Sequence, residues 1–369
     1  SMARSQYGTS GRGGPLGDGV FYVDYTGYGY TGPYLAYTYA SYDTNTRYTR
    51  VEAFIQDNWQ ITKRLNLSLG VRFSQNWGDV KGVSGTVYKS NRIAPRLGFT
   101  FDILGDKSTI LKAHYGQFTE AMLTAYHDRM NPIANYGDEV GWYWDLGADD
   151  WVEWYRIAPT PYEMDSDIKH PYMTQWTVGI ERELFKDTAF SVTYINRKWN
   201  DIIGPVDRAA DYDVVPVNVP ELGQSFDVYE RTLATLETND YIIKNFTSAD
   251  PWIALDPYRK YQGLEVQFNK RFSNRWQLLA SYVYGQAKGT IDNGFADDIG
   301  WGPQGDPNFW INGEGNLTND PTHMLKLQGT YILPFDVAFN AYFRYITGDA
   351  WTTRVRTSRF NQGRITFFA

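Results

Sequence analysis

Residues 65–77 read LNLSLGVRFSQNW, and taken alternately they separate into two sets. Leu65, Leu67, Leu69, Val71, Phe73 and Trp77 are apolar, whereas Asn66, Ser68, Gly70, Arg72, Ser74 and Asn76 are small, polar or charged. Successive side chains of an extended chain point to opposite faces, so this stretch is a strand with one oily face and one wet face. The fold turns on what the oily face meets, a protein core or lipid.

The stretch is half of a pair. Upstream, RVEAFIQDNWQI places Val51, Ala53, Ile55, Trp59 and Ile61 on one face and Glu52, Gln56, Asn58 and Gln60 on the other. Only Thr62, Lys63 and Arg64 join the two runs, and a short polar link between alternating segments predicts a hairpin. The pattern recurs in IAPRLGFTFDIL with TILKAHYGQF, in TQWTVGIEREL with TAFSVTYINRK, in YQGLEVQFNKRF with WQLLASYVYGQ, and in HMLKLQGTYIL with VAFNAYFRYI. These are about ten strands of roughly 9–12 residues, the length at which a tilted strand crosses a bilayer. The turns within each hairpin are short. The connections between hairpins, at residues 78–92, 119–172, 199–258 and 287–322, are long. Short turns at one end and long loops at the other are the layout of an outer-membrane barrel.

Composition agrees. No apolar run approaches the roughly 18 residues of a membrane helix, and the mean hydropathy is negative, as alternating barrel strands allow. Aromatic residues make up 17% of the 369, with 29 Tyr, 20 Phe and 13 Trp, a supply suited to interfacial girdles. Trp59, Phe272 and Trp276 fall near short turns, and Trp77, Tyr115, Tyr194, Tyr284 and Tyr345 near long loops. Glu52, Arg72, Arg96, Lys112, Glu265, Arg271, Lys326 and Arg344 occupy the opposite faces, where a barrel presents a wet lumen. The absence of Cys excludes a disulfide framework and thiolate chemistry. A net charge of −7 argues against nucleic acid as a partner. A soluble β-sandwich also alternates, but does not require sorted loop lengths or paired girdles.

The predicted class is therefore all-β, an antiparallel transmembrane β-barrel of the large outer-membrane kind, here a partial set of about 10–14 strands. Residues 1–47 read as a Gly/Tyr-rich loop with one or two strands, 48–346 as barrel hairpins with long extracellular loops, and 347–369 as a loop entering a further strand. The first residues, SMARSQYGTSGRGG, lack the charged start and apolar stretch of a signal peptide, so a targeting segment is expected elsewhere.

VEAFIQDNWQITKRLNLSLGVRF, NRIAPRLGFTFDILGDKSTILKAHYGQF, HPYMTQWTVGIEREL, YQGLEVQFNKRFSNRWQLLASYVYGQAKG and DPTHMLKLQGTYILPF carry, in order and spacing, a family resemblance. Over about residues 48–369 the chain resembles the C-terminal barrel half of TonB-dependent outer-membrane receptors, nearest the Oar-like branch. That resemblance implies a parent barrel of about 22 strands, an N-terminal plug, and transport driven by the TonB complex through a short box ahead of the plug. Neither plug nor box is read in these residues.

Two loops stand out as ligand-capture candidates. In DEVGWYWDLGADDWVEWYRIAPTPYEMDSD, Trp142, Trp144, Trp151 and Trp154 lie among Asp149, Asp150 and other carboxylates. Exposed indoles stack on sugar rings or grip apolar groups, and carboxylates bind hydroxyls or cations. The alternative is a small local core that folds the loop on itself. In IDNGFADDIGWGPQGDPNFWINGEGN, Asp297, Asp298, Trp301 and Trp310 offer a similar mixture. Its Asp, Asn and Gly suit Ca²⁺ only weakly, because the spacing does not fit an EF-hand loop. No other cofactor is expected. His114, His127, His170 and His323 form no metalloprotease or triad pattern, and Asp149 and Asp150 lack a cleft, so the chain reads as a non-enzyme.

The expected function is an outer-membrane receptor that captures a small ligand, peptide or oligosaccharide and passes it through the barrel. Its partners would be the lipid bilayer and, in the full-length protein, the TonB complex. A surface adhesin or porin is the first alternative, and a soluble glycan-binding β-protein the second.

Overall fold

The computed structural model describes residues 2–8, 20–24, 33–39, 43–80, 83–120, 130, 139–145, 147–157, 162–236, 238, 240–291, 306–317 and 321–369. The strands in chain order begin with β1 (Met2–Gly8), β2 (Val20–Asp24), β3 (Pro33–Tyr39), β4 (Asp43–Gln60), β5 (Leu65–Val80), β6 (Thr86–Asp102) and β7 (Thr109–Thr119). Next come β8 (Glu139–Asp145), β9 (Asp150–Ile157), β10 (Glu163–Met164), β11 (Tyr172–Phe185), β12 (Thr188–Asn200), β13 (Gly204–Asp207), β14 (Tyr212–Val219), β15 (Gln224–Arg231) and β16 (Tyr241–Lys244). The last are β17 (Arg259–Ser273), β18 (Trp276–Gly289), β19 (Gly315–Asn316), β20 (His323–Ile332), β21 (Ala338–Ile346), β22 (Arg354–Phe360) and β23 (Gly363–Phe368).

One 12-stranded sheet runs β1-β4-β5-β6-β7-β11-β12-β17-β18-β20-β21, with β19 attached to β18. All five hairpins read from the sequence are present in it, antiparallel and in sequential order. Sequential antiparallel pairing is the meander a barrel wall needs, because every backbone group in hydrocarbon must find a partner.

The short turns use local chemistry. Asn274 and Arg275 both take positive φ, which makes the two-residue link between β17 and β18 the turn whose twist matches paired strands. At the β6–β7 turn, the buried Asp102 carboxylate accepts the Gly105 and Lys107 amides at 2.8 and 2.9 Å. Thr62 Oγ1 does the same for Arg64 and Leu65. Adjacent turns are also tied together: Asp102 donates to the Arg64 carbonyl, Glu183 to Ser108, Arg271 to Asp187 and Ile332 to Arg275.

The register shows the tilt. A single row of opposed residues passes through Gln60, Asn66, Thr100, Lys112, Gly179, Thr193, Glu265, Val283, Met324 and Ile346. It starts on the last residue of β4, at a short turn, and ends on the last residue of β21, at the opposite rim. Such stagger is what allows tilted strands to close into a barrel.

The two faces differ as the sequence predicts. Leu67, Phe99, Ala113, Val178, Tyr194 and Leu264 form one continuous apolar row on the outer face. Val178 is 43% exposed and Phe339 60% exposed, and no second sheet covers them among the described residues. Apolar area on that scale is incompatible with water and fits lipid.

The buried clusters lie instead beyond the loop ends of the strands. One gathers Tyr48, Tyr88, Ile168, Ile203 and Ile243, a second Ile202, Val206, Phe246, Ile253, Ile291 and Trp310, and a third Val219, Phe226, Val228, Ile365 and Phe367. Small sheets contribute to them: β10-β16-β13, β14-β15 and β22-β23, while β2-β3-β8-β9 forms a further small sheet. One connection departs from expectation. Residues 78–92 read as a long loop, yet β5 runs to Val80 and β6 begins at Thr86. At 18, 16 and 17 residues, β4, β5 and β6 exceed the roughly 9–11 needed to cross a bilayer. Alternation fades there because above the membrane neither face meets lipid.

Candidate ligand-capture site

The Trp-rich loop folds as a hairpin, β8 with β9, extended by β3 and β2. Asp145 Oδ1 accepts the Gly147 and Ala148 amides at 2.7 and 3.1 Å, which bends the chain. Asp149 takes a left-handed φ of 51°, a conformation that aspartate tolerates. Asp149 and Asp150 are thereby exposed at the hairpin tip. Trp144 and Trp151 sit directly opposite each other and pack edge-to-face, with centroids 5.4 Å apart. Trp142 faces Glu153 beside a register shift, and Trp154 is 60% exposed. The structure thus joins Trp144 and Trp151 as a pair.

The second loop behaves differently. Asp297, Asp298 and Trp301 lie outside the described residues. Trp310 is buried among Phe246 and Phe309, so its ring is packed into the cap. Burial pushes the Asp306 carboxyl up, and that carboxyl accepts both the Asn308 amide and its side-chain Nδ2.

Sequence patterning gave no sign of the polar lattice that holds the cap together. Buried Arg231 and Asp207 pair at 2.9 Å, with Arg231 also donating to the carbonyls of Thr235 and Thr238. Asn308 is fully buried and mimics a missing strand: its Oδ1 accepts from Tyr229 N at 2.8 Å and its Nδ2 donates to Tyr229 O at 2.7 Å. Gln362 and Asn361 complete the same edge at Tyr229 and Arg231. Side-chain amides from two loops therefore cover the free edge of β15. Elsewhere His170 bonds Tyr88 through Nδ1 and the Glu120 carbonyl through Nε2, and desolvation pushes its pKa down to about 4.

On the inner wall, guanidinium groups sit over aromatic rings. Arg72 sits 5.7 Å from Phe54, Arg96 4.7 Å from Phe118, Arg197 5.5 Å from Tyr261 and Arg259 4.5 Å from Trp199. Arg50 and Arg72 share the Glu52 carboxylate, and Lys112 pairs with Glu181.

Residues 75–356 match the family model described as an outer membrane beta barrel domain. The chain belongs to that family. The barrel domain therefore sits in the outer membrane, with its girdled face in lipid. TonB-dependent transporter Oar of Myxococcus xanthus is similar, 23% identical over 374 residues that cover 88% of this barrel domain and 31% of Oar. The barrel domain spans less than a third of that relative. Solved structures overlap in part. The outer membrane transporter YddB from Escherichia coli gives a TM-score of 0.47 at 12% identity, covering 91% of this chain and 46% of YddB. The alcaligin receptor FauA from Bordetella pertussis gives 0.42 at 12%, covering 85% and 42%. In outer-membrane barrels short turns are typically periplasmic and long loops extracellular.

Proposed function

We propose that this barrel domain is the membrane wall and extracellular cap of a receptor that captures a ligand at its loops and admits it to the lumen, energised by TonB in the full-length protein. The observation that carries this reading is the sorting of the wall. One face offers hydrocarbon, the other offers guanidiniums held over aromatic rings and in ion pairs, and a folded cap crowns the rim. A solute path needs the wet face, and capture needs the ordered cap. The similarity to a TonB-dependent transporter supports the energy source. A soluble glycan-binding protein would not present the outer apolar rows, and that alternative is set aside.

The test is uptake by cells producing the full-length protein, using fluorescent short peptides and neutral oligosaccharides as probes, with the TonB complex intact or removed. Accumulation that disappears without TonB is the expected result. Accumulation that persists would make the protein a porin, and surface binding without accumulation an adhesin.

A further inference from the structure

Beside the loop end of β18 lies a half-open hollow of about 330 Å³, built from residues 289–291, Phe309, 312–317, 350–352, Arg354 and Phe368. The volume is that of a small-ligand pocket. It is anchored to the barrel, since β19 pairs with Lys288 and Gly289 at the end of β18.

Its walls are of two kinds. Phe309 and Phe368 pack 5.4 Å apart and form an apolar floor. Trp351, 87% exposed, stands on the rim with its indole face open. Against these stand planar polar groups. Asn312 donates through Nδ2 to the Phe368 carbonyl at 3.2 Å, which fixes the amide and leaves its Oδ1 as an acceptor. Glu314 accepts the Tyr258 hydroxyl, which orients the carboxylate. Arg354 lies 5.2 Å over the Phe368 ring and makes no ion pair among the described residues.

This inventory selects a chemistry by elimination. A purely apolar ligand would strip water from Asn312, Glu314 and Arg354 without replacing their hydrogen bonds. An anion would meet Glu314, and a cation would meet Arg354. A neutral polyol satisfies both walls, because a sugar ring has a C–H face for the indole and a rim of hydroxyls that both donate and accept. We propose that this hollow is a subsite for one ring of a neutral saccharide, with Trp351 as the stacking platform and Asn312, Glu314 and Arg354 as the hydroxyl contacts. The assignment rests on the reading that the cap captures a ligand, and it narrows that ligand to glycans.

Binding is measured on outer-membrane vesicles carrying the full-length protein, which needs no TonB. The probes are maltohexaose, cellohexaose, mannotriose and triacetylchitotriose, with sialyllactose and an acidic and a basic hexapeptide as charged comparators. At least one neutral probe is expected to bind. Trp351→Ala should weaken it tenfold or more, and Trp351→Phe should restore most of the loss. Gly315 lines the hollow and a Cβ there would meet no atom within 4 Å, so Gly315→Phe should block binding without disturbing the backbone. Lys63→Ala, in the short turn between β4 and β5 at the opposite rim, should leave binding unchanged. The proposal is overturned if no neutral probe binds, if only the charged comparators bind, or if Trp351→Ala and Gly315→Phe leave affinity intact. Saccharide binding with no TonB-dependent uptake would overturn the transport reading and leave this site standing.

Discussion

His170 is the residue whose chemistry is most altered by its surroundings. It is buried in the cap between Tyr88 and the Glu120 carbonyl, with Arg50 and Arg92 near enough to oppose a second positive charge and Glu52 acting weakly the other way. The folded pKa of about 4 lies below the ordinary 6.5, so the neutral ring is the native form. Between those values the unfolded chain takes up a proton that the folded chain refuses, and stability falls as the pH falls. The loss reaches about 3 kcal/mol by pH 4. Burial raises the Glu120 carboxyl and works in the opposite direction, so the His170 share is read by difference. The protease resistance of the cap, compared between pH 7 and 4.5, should drop more for the wild-type protein than for His170→Asn. Equal slopes would mean that the imidazole is not buried neutral. Nothing in the sequence marked this site, since a single His at the head of HPYMTQW carries no period and its partners lie 50 and 82 positions away.

At the scale of elements, the wall and the cap were unequally legible. The hairpins could be read because two solvents, lipid and lumen water, impose a period of two on every strand that crosses, and because Asn-Arg or Thr-Lys-Arg turns interrupt it visibly. Residues 78–92 read as a loop for the same reason, since strands that rise clear of the bilayer lose the pattern while keeping their hydrogen bonds. The cap obeys no period. Its ties run from side chain to backbone over long separations: Asn308 reaches back 79 positions to Tyr229, and Gln362 reaches back 133. The Trp loop was legible as unusual, but not the cross-strand pairing that turns Trp144 and Trp151 toward each other. The β15 edge supplies a test at this scale. Asn308→Ala strands the Tyr229 N–H in a buried site and should cost the cap about 1–3 kcal/mol. Limited proteolysis should then cut faster between residues 206 and 235, while the strand signal of the barrel stays constant. Unchanged cleavage would show that the amide lattice is not what holds the edge.

For the whole molecule, the decisive property is that its inside-out plan has a side. Val178 lies in the middle of the apolar row, whereas Gln328 lies on the inner face between Leu279 and Tyr342. Val178→Arg places a charge in hydrocarbon and should destabilise the full-length protein in lipid vesicles by about 2–4 kcal/mol. Gln328→Arg should cost less than about 1 kcal/mol, because the lumen face is wet. Denaturant titration of both variants in the same vesicles compares them directly, and equal costs would contradict the assignment of faces.

The slanted register has a consequence for anything that travels along this wall. One row of opposed side chains climbs from a strand's foot on one side to a strand's crown on the other, so the lining is a spiral stair rather than a shaft. A solute that keeps to one file of side chains must swing around the bore as it descends, and a ligand too stiff to turn would have to change file at each step.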